Sequence, residues 1–236
     1  MPNKQPLTIQ GLLACLTILA LTSCGKPSPS VRQTAQSDGS IRIRGEVWAD
    51  NWFAFYLGDT LIVEDSVPIT TERSFNAEVF EFEADYPLVL NFIVKDFKQD
   101  DSGLEYIGTR RQQIGDGGFI AQFTNADTGE LIAASTREWQ SYVLHEAPLD
   151  PACAKESRPV PGQGPCDFLI REEPETWKAL EFDASQWAAA TEYSPRQVRP
   201  KDGYDRIDWH RPAQLIWSSD LQLHNTVLLR TVINEP

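Results

Sequence analysis

Residues 52–63 read WFAFYLGDTLIV. Two apolar runs, rich in the aromatic and β-branched residues that strands favour, flank Gly58-Asp59. A Gly-Asp dipeptide between two such runs is typical of a tight turn. This stretch therefore predicts a β-hairpin, with one strand over residues 52–57 and the next over 60–63.

Strand-like patterns continue through the rest of the chain. Residues 41–48 and 75–82 alternate apolar and polar side chains, while residues 88–94 are almost wholly apolar, which is typical of a central strand buried on both faces. Further strand-like segments occupy residues 119–123, 131–134, 215–217 and 226–233. Helical periodicity is scarce and amounts to a turn or two over 175–180 and 185–190. We predict an all-β fold, a jelly-roll-like antiparallel β-sandwich with few short helical turns, over residues 41–236.

Composition excludes several classes of protein. The 236 residues are 41% hydrophobic and 23% charged, which is too apolar for a disordered chain. The formal net charge of −13 argues against nucleic acid as a partner, since phosphate binding requires clustered Lys and Arg. It argues equally against a basic patch on an anionic membrane.

The first residues predict an export signal. Lys4 precedes an apolar run over residues 11–20, which is shorter than the roughly 20 residues that a membrane span needs. The run ends in Leu-Thr-Ser-Cys at residues 21–24, which resembles the lipobox of bacterial lipoproteins. That resemblance implies removal of residues 1–23 and lipidation of Cys24.

Residues 24–40 then predict a lipidated cysteine followed by a flexible tether. The segment is polar and rich in Ser, Pro and Gln, with almost nothing to bury. The expected partner is a membrane, through the lipid anchor, in the bacterial cell envelope. Gly25 stands where an Asp would favour the inner membrane in well-studied diderm bacteria, so the resemblance favours the outer membrane.

The chain has four cysteines. If Cys15 is removed with the signal and Cys24 is lipidated, Cys153 and Cys166 remain as a pair. They bracket a Pro- and Gly-rich stretch within a long connection near residues 148–174. An even pair of cysteines in an exported protein predicts a disulfide that clasps this loop. The alternative is a metal site, although zinc takes four ligands and no histidine is near in sequence.

Two segments resemble the galactose-binding-domain-like jelly roll, which is common in bacterial cell-surface proteins. Residues 49–59 are similar to a hairpin of that family, and Trp177 with the FDASQW run at 182–187 is similar to its Trp and Asp-Ser-Trp pattern. Residues 216–230 resemble a third family segment. The hairpin comes first here, whereas the family places it later. The resemblance implies a sandwich in which the tryptophans are chiefly core or rim anchors.

A sugar-binding face is the functional interpretation of the residues around the hairpin. Trp48 and Trp52 are candidates for stacking on a sugar ring, with Asp50 and Asn51 as polar partners for its hydroxyls. The same alternation would also build an ordinary core. The sequence leaves both interpretations open.

Oxygen-bearing side chains in one predicted turn are candidate ligands of a metal ion. Asn125, Asp127 and Glu130 supply oxygen ligands at alternate positions near Gly129, as in part of a calcium loop. A structural Ca²⁺ is common in the resembled fold. Calcium takes six to eight oxygens, and a solvated hairpin turn is the alternative.

Catalytic signatures are absent from the sequence: it has no nucleophile elbow, zinc-binding helix, phosphate loop or dinucleotide fingerprint. We therefore expect a non-catalytic envelope lipoprotein that binds a carbohydrate or a partner protein. A structural or assembly subunit with no small ligand is the alternative, and an apolar patch on the clasped loop would favour it. A small glycan hydrolase is the third hypothesis, which requires two carboxyl groups facing one cleft.

Overall fold

The computed structural model describes residues 31–33 and 41–236, so the predicted signal and Cys24 lie outside the described residues. Among the described residues, no helix has the length and apolar character needed to cross a membrane. Helical structure there comprises the four-residue helix α1 (Pro195–Val198) and 3-10 turns at Pro151–Lys155, Gly164–Cys166 and Tyr204–Arg206.

Strands account for the rest of the regular structure. Their bounds are β1 Val31–Gln33, β2 Ile41–Asp50, β3 Trp52–Leu57, β4 Thr60–Glu64, β5 Asn76–Ala84, β6 Leu88–Lys95, β7 Leu104–Glu105, β8 Gln113–Ile114, β9 Gly118–Asn125, β10 Leu131–Ala134, β11 Gln140–Glu146, β12 Leu169–Ile170, β13 Ala188–Ala189, β14 Thr191–Tyr193, β15 Leu215–Trp217 and β16 His224–Ile233.

Two seven-stranded sheets form the sandwich. The first has the order β1-β5-β2-β9-β15-β14, with β10 also paired to β9. The second has the order β12-β11-β16-β6-β3-β4, with β13 also paired to β11. Neighbouring strands are antiparallel, except that β1 pairs with β5 in parallel. β1 lies within the predicted tether. The small hairpin of β7 and β8 stands apart from both sheets.

Aromatic side chains fill the space between the sheets. Phe55 of β3 stacks on Phe92 of β6 with ring centroids 4.7 Å apart. From the opposite sheet, Phe80 and Phe123 meet Phe55 at 5.7 and 5.3 Å. All four rings are fully buried. Burying such a side chain contributes roughly 1.5–3 kcal/mol, so this cluster is a main source of the stability of the sandwich.

The outer face of the first sheet is covered by the segment 194–213. Trp48 projects from β2 on this face, where it packs in a second apolar cluster with Val198 of α1 and Ile207. The Trp48 indole N–H donates to the carbonyl of Asp202 at 3.2 Å. A chain segment from far along the sequence therefore completes a second hydrophobic layer.

The outer face of the second sheet carries the segment 171–190, which we call the strap. Buried Arg230 of β16 donates to the carbonyls of Trp177 and Ala179, at 3.1 and 2.7 Å. Buried Asn91 of β6 donates to the carbonyl of Lys178 at 3.0 Å. Two buried polar side chains thus fix the strap to the sheet by its backbone.

The predicted all-β sandwich with few short helical turns is confirmed. The hairpin over 52–63 forms as β3 and β4, and residues 88–94 form the central strand β6, whose two sides pair with β3 and β16. The segments at 175–180 and 185–190 form turns, and Ala188–Ala189 pairs with β11 as a strand. The Cys153–Cys166 disulfide is also present, with Cα atoms 4.8 Å apart.

Candidate functional site

One end of the sandwich gathers four carboxyl groups from separate elements. Asp50 ends β2, Asp96 directly follows β6, Glu105 ends β7, and Asp116 precedes β9 by two residues. We call this set the carboxyl cluster. Asp50 and Asp96 lie at the ends of strands in the two packed sheets, while Glu105 comes from the separate β7–β8 hairpin and Asp116 from the loop before β9.

Burial dominates the electrostatics of the carboxyl cluster. Asp50, Asp96 and Glu105 are only 2%, 3% and 4% exposed. Burial raises the pKa of Glu105 from 4.5 to about 7. It raises the pKa values of Asp50 and Asp96 well above 3.8, with added repulsion from Asp116 on Asp50 and from Asp50 on Asp96. The neutral acid form is therefore favoured in the folded protein, since charge is costly there.

Several atoms of this cluster lack hydrogen-bond partners among the described residues. These are Asp50 Oδ2 and both carboxyl oxygens of Asp96. The side-chain amide of Asn225 lies close enough to Asp96 to lower the pKa of that carboxyl group. Its geometry does not meet the criteria for a hydrogen bond. Gly115 packs directly against Asp96, since a Cβ at position 115 would lie 2.2 Å from Asp96 Oδ2. Asp96 is thus held in a closed compartment.

Cations stand only at the outer margin of the cluster. Burial raises the pKa of Asp116, while Lys201 and Arg199 oppose that shift. Arg199 reaches Asp116 at 3.8 Å, and its side chain is 75% exposed. Lys201 also lowers the pKa values of Asp50 and Glu105, although it is itself exposed. Asp116 is therefore the member of the carboxyl cluster that is in contact with solvent and with positive charge.

Asp116 opens onto a polar groove. Two adjoining cavities of about 360 Å³ each share Asp116, Arg199 and Gln222 in their walls. We call the combined depression the amide groove, after the four glutamine side chains in its walls; Lys155, Ser219 and Asp220 line it as well. It is defined by Gln112, Gln113, Asp116, Gln197, Arg199 and Gln222. Tyr193 and Leu221 add an apolar wall on one side.

Gln113 connects the amide groove to the carboxyl cluster. Its Nε2 donates to Glu105 Oε2 at 2.8 Å across the β7–β8 hairpin, and the rest of the side chain lines the groove. Glu105 therefore lies one side chain behind the groove wall. Glu105 also interacts electrostatically with Asp116, which lines the groove itself.

The clasped loop holds the β7–β8 hairpin in place. Cys153 and Cys166 form an apolar cluster with buried Leu104 of β7. Gln112 donates to the carbonyls of Ala154 and Glu156, at 3.0 and 2.8 Å. The disulfide thus fixes the wall of the groove as well as its own loop.

The residues predicted for a sugar-binding face are mostly internal. Trp48, Asp50 and Asn51 are 0%, 2% and 0% exposed. Asn51 Oδ1 accepts from the Phe97 N–H at 2.6 Å, so this amide serves the fold. Trp52 is half-buried, with Lys95 Nζ 4.6 Å from its ring centroid. The four residues do not share one open face, although Asp50 joins the carboxyl cluster.

The predicted calcium loop forms the turn between β9 and β10. Asn125 Oδ1 accepts from the N–H groups of Asp127 and Thr128, at 2.9 and 3.0 Å. Asp127 pairs with Arg42, while Glu130 is exposed. Over residues 31–33 and 41–236, no three His, Cys, Asp or Glu side chains converge as a metal site.

Two histidines lie near the carboxyl cluster and serve the fold. His145 Nδ1 is 2.8 Å from Asn225 Oδ1, and burial lowers the pKa of this ring, which favours its neutral form. His224 Nδ1 is 2.7 Å from Ser218 Oγ. One ring nitrogen of each histidine is thus used inside the sandwich, whereas His145 Nε2 is buried with no hydrogen-bond partner among the described residues and lies 3.6 Å from Asp101 Oδ1.

Sequence reasoning missed Glu105, Asp116 and the groove amides as site residues. In the sequence, Asp96 is the first of three acidic residues within positions 96–101. The available signal was the position of acidic residues directly beside strand ends, at 96 after an apolar strand and at 116 among glycines before another. No pattern in the sequence brings the glutamines at 113 and 222 together.

Comparison with known proteins gave no match to a family model, a curated protein or a solved structure.

Proposed function

We propose that this chain is an exported, lipid-anchored and non-catalytic binding protein of the bacterial cell envelope, which holds a carbohydrate in the amide groove. The observation that carries the proposal is the continuity of two polar cavities through Asp116, Arg199 and Gln222. The lipobox resemblance at residues 21–24 and the disulfide loop support an exported location.

The lining of the groove matches the chemistry of a sugar. A glutamine side chain carries donors and an acceptor in one plane, which suits neighbouring hydroxyl groups. Gln112, Gln113 and Gln197 use part of this capacity within the fold, so Gln222 is the main candidate to bind a sugar hydroxyl. Gln222 and Gln197 are exposed at the groove, and Tyr193 offers a ring with C–H and π surface beside them. The groove is more polar than a typical site for an apolar ligand, which favours a ligand rich in hydroxyl groups.

The carboxyl groups favour binding over hydrolysis. Glycoside cleavage needs two carboxyl groups that flank the scissile bond. Asp50, Asp96 and Glu105 are too deeply buried to reach a ligand in the groove. At the groove, Asp116 pairs with Arg199, and Asp220 Oδ1 accepts from the N–H groups of Gln222 and Leu223. The accessible carboxylates are therefore already committed to the fold.

A glycan array tests the proposal. The full chain carrying Cys24→Ser, which removes the lipid, is applied with and without Gln222→Ala. We expect binding to a defined sugar that weakens at least tenfold in Gln222→Ala and persists in the control Gln186→Ala, an exposed glutamine on the strap. A blank array from folded protein, or equal binding by all three proteins, would contradict the proposal.

A further inference from the structure

A second surface, separate from the amide groove, presents aliphatic side chains to solvent. Leu149, Val160, Leu169 and Ile170 are 44%, 44%, 39% and 58% exposed. They are four of the six large hydrophobic residues that are exposed in the described part of the chain; the others are Leu61 and Leu180. We call these four residues the clasp surface. All four lie within the segment 149–170. Leu169 and Ile170 are consecutive on β12, so their side chains point to opposite faces of the second sheet, and a strand added at this edge would meet both.

The clasp surface is rigidly presented. The Leu149 N–H donates to the Asp167 carbonyl at 2.8 Å, which ties the two ends of the loop together. The Gly162 N–H donates to the Cys166 carbonyl at 2.9 Å beside the disulfide. The ring of Phe168 stacks on His145 at 6.0 Å, which anchors the loop to β11. Because these residues are already ordered, binding would cost little further entropy.

One edge of this surface is an open strand. β12, which consists of Leu169 and Ile170, is the outermost strand of the second sheet, and within residues 31–33 and 41–236 its only partner is β11. The Arg171 N–H donates to the Leu144 carbonyl at 2.8 Å, toward β11. Alternate residues of an antiparallel strand face opposite sides, so the Ile170 N–H and carbonyl face outward. An extended segment can therefore add backbone hydrogen bonds here.

Charge selects the kind of partner. Four exposed acidic side chains lie in or beside this segment, at Asp150, Glu156, Asp167 and Glu172, and they outnumber the two exposed cations Lys155 and Arg158; within the described residues none of the six forms an ion pair. The nearby Arg171 is paired with Glu146 at 3.1 Å. Acidic groups would be repelled by anionic lipid and by a second copy of a chain whose net charge is −13.

We infer that the clasp surface binds an extended segment of another protein, which carries aliphatic side chains flanked by Lys or Arg and adds a strand to β12. This inference is independent of the carbohydrate site, because no residue of the clasp surface lines the amide groove.

Defined peptides test this inference by fluorescence polarisation with the full chain carrying Cys24→Ser. The probe is a labelled ten-residue peptide of alternating isoleucine and lysine. Two reference peptides replace lysine by glutamate or isoleucine by serine. We expect binding of the first peptide, at least tenfold weaker binding of both references, and weakening by salt.

Three variants locate the site. Ile170→Glu removes the apolar contact, while Ile170→Pro keeps an apolar side chain and removes the outward N–H donor. Each is expected to weaken binding at least tenfold. Leu61→Glu is the matched control, since Leu61 is 47% exposed on the distant strand β4, and it should bind as the parent does. Circular dichroism shows whether each variant is folded.

Four outcomes would overturn the inference. These are no binding of the first peptide, equal binding of all three peptides, binding unaffected by either change at Ile170, and equal loss in Leu61→Glu. Binding to phosphatidylglycerol vesicles that Ile170→Glu abolishes would assign the surface to lipid. A dimer in sedimentation that Ile170→Glu dissociates would assign it to a second copy. Either result would also overturn the proposed partner.

Discussion

Gln113 donates a hydrogen bond to Glu105 at 2.8 Å, and this contact joins the exposed amide groove to a carboxyl group that is 4% exposed. Burial raises the pKa of Glu105 to about 7, so its charge changes near neutral pH. Gln113 can donate to either form, but the ionised form accepts more strongly. The wall of the groove is thereby linked to proton binding in the interior.

Stability should fall as the pH rises toward neutrality and above. Glu105 titrates at 4.5 when unfolded and at about 7 when folded, so the folded state binds its proton more tightly. Its contribution to the free energy of unfolding is complete below pH 4.5 and is lost as the pH rises through about 7. The loss is at most about 3 kcal/mol, since one pKa unit corresponds to about 1.4 kcal/mol.

Urea unfolding of the parent and of Glu105→Gln between pH 5 and 8 checks this prediction. The substitution keeps an acceptor for Gln113 and removes the titration, so the pH dependence should flatten and stability at pH 8 should rise. Glu138→Gln, an exposed residue between β10 and β11, is the control. An unchanged pH dependence in Glu105→Gln would mean that Glu105 is not the titrating group.

Gly115→Ala should destabilise the protein through Asp96. The added Cβ would lie 2.2 Å from Asp96 Oδ2, so one group must move. Overpacking of this kind costs about 1–3 kcal/mol. A double-mutant cycle with Asp96→Ala measures the effect: the glycine substitution should cost less when the carboxyl group is gone. Equal costs in both backgrounds would show that the two residues do not compete for the same space.

Removal of the disulfide should weaken both the fold and the groove. Replacing Cys153 and Cys166 by Ala is expected to cost about 3 kcal/mol in the chain-entropy model. Because Leu104 packs on the disulfide and Gln112 bonds to the loop, amide hydrogen exchange in β7 and β8 should accelerate as well. A reductant should destabilise the parent and leave the double variant unchanged. Unaltered exchange in the β7–β8 hairpin would show that the disulfide does not hold the wall of the groove in place.

Arg230→Met should loosen the strap. The buried guanidinium donates to the carbonyls of three strap residues, Trp177, Ala179 and Leu180, and its loss leaves these acceptors unpaired at a cost of about 1–3 kcal/mol each. Limited trypsin digestion reports the change, since Lys178 lies within the strap and should become cleavable. Arg196→Met, at an exposed position, is the control. If both variants resist trypsin equally, other contacts hold the strap.

Local patterns in the sequence were enough to predict the strands. Alternation and apolar runs depend on neighbouring residues, and these specify which side chains turn inward on each strand. Alternation also places Trp48 on the outer face of its sheet. It could not show that Val198, 150 positions later, packs over the same indole and buries it.

The candidate site depends on long-range topology instead. Asp50 ends β2 of the first sheet, Asp96 follows β6 of the second, Glu105 lies in the separate β7–β8 hairpin, and Gln222 comes from a loop near the end of the chain. Their proximity follows from the order of strands in the sandwich, which a single sequence does not encode in any local pattern. The same reason explains why Asn125 and Asp127, close in sequence, were more visible than the carboxyl cluster.

The most direct test of the central claim is a backbone NMR titration of the Cys24→Ser chain with the best sugar from the array. The account predicts that amide shifts change around Gln113, Asp116, Arg199 and Gln222, and that Gln222→Ala weakens the response at least tenfold. Shifts confined to another face, such as the strand around Trp52, or no shifts at saturating sugar, would contradict a carbohydrate site in the amide groove.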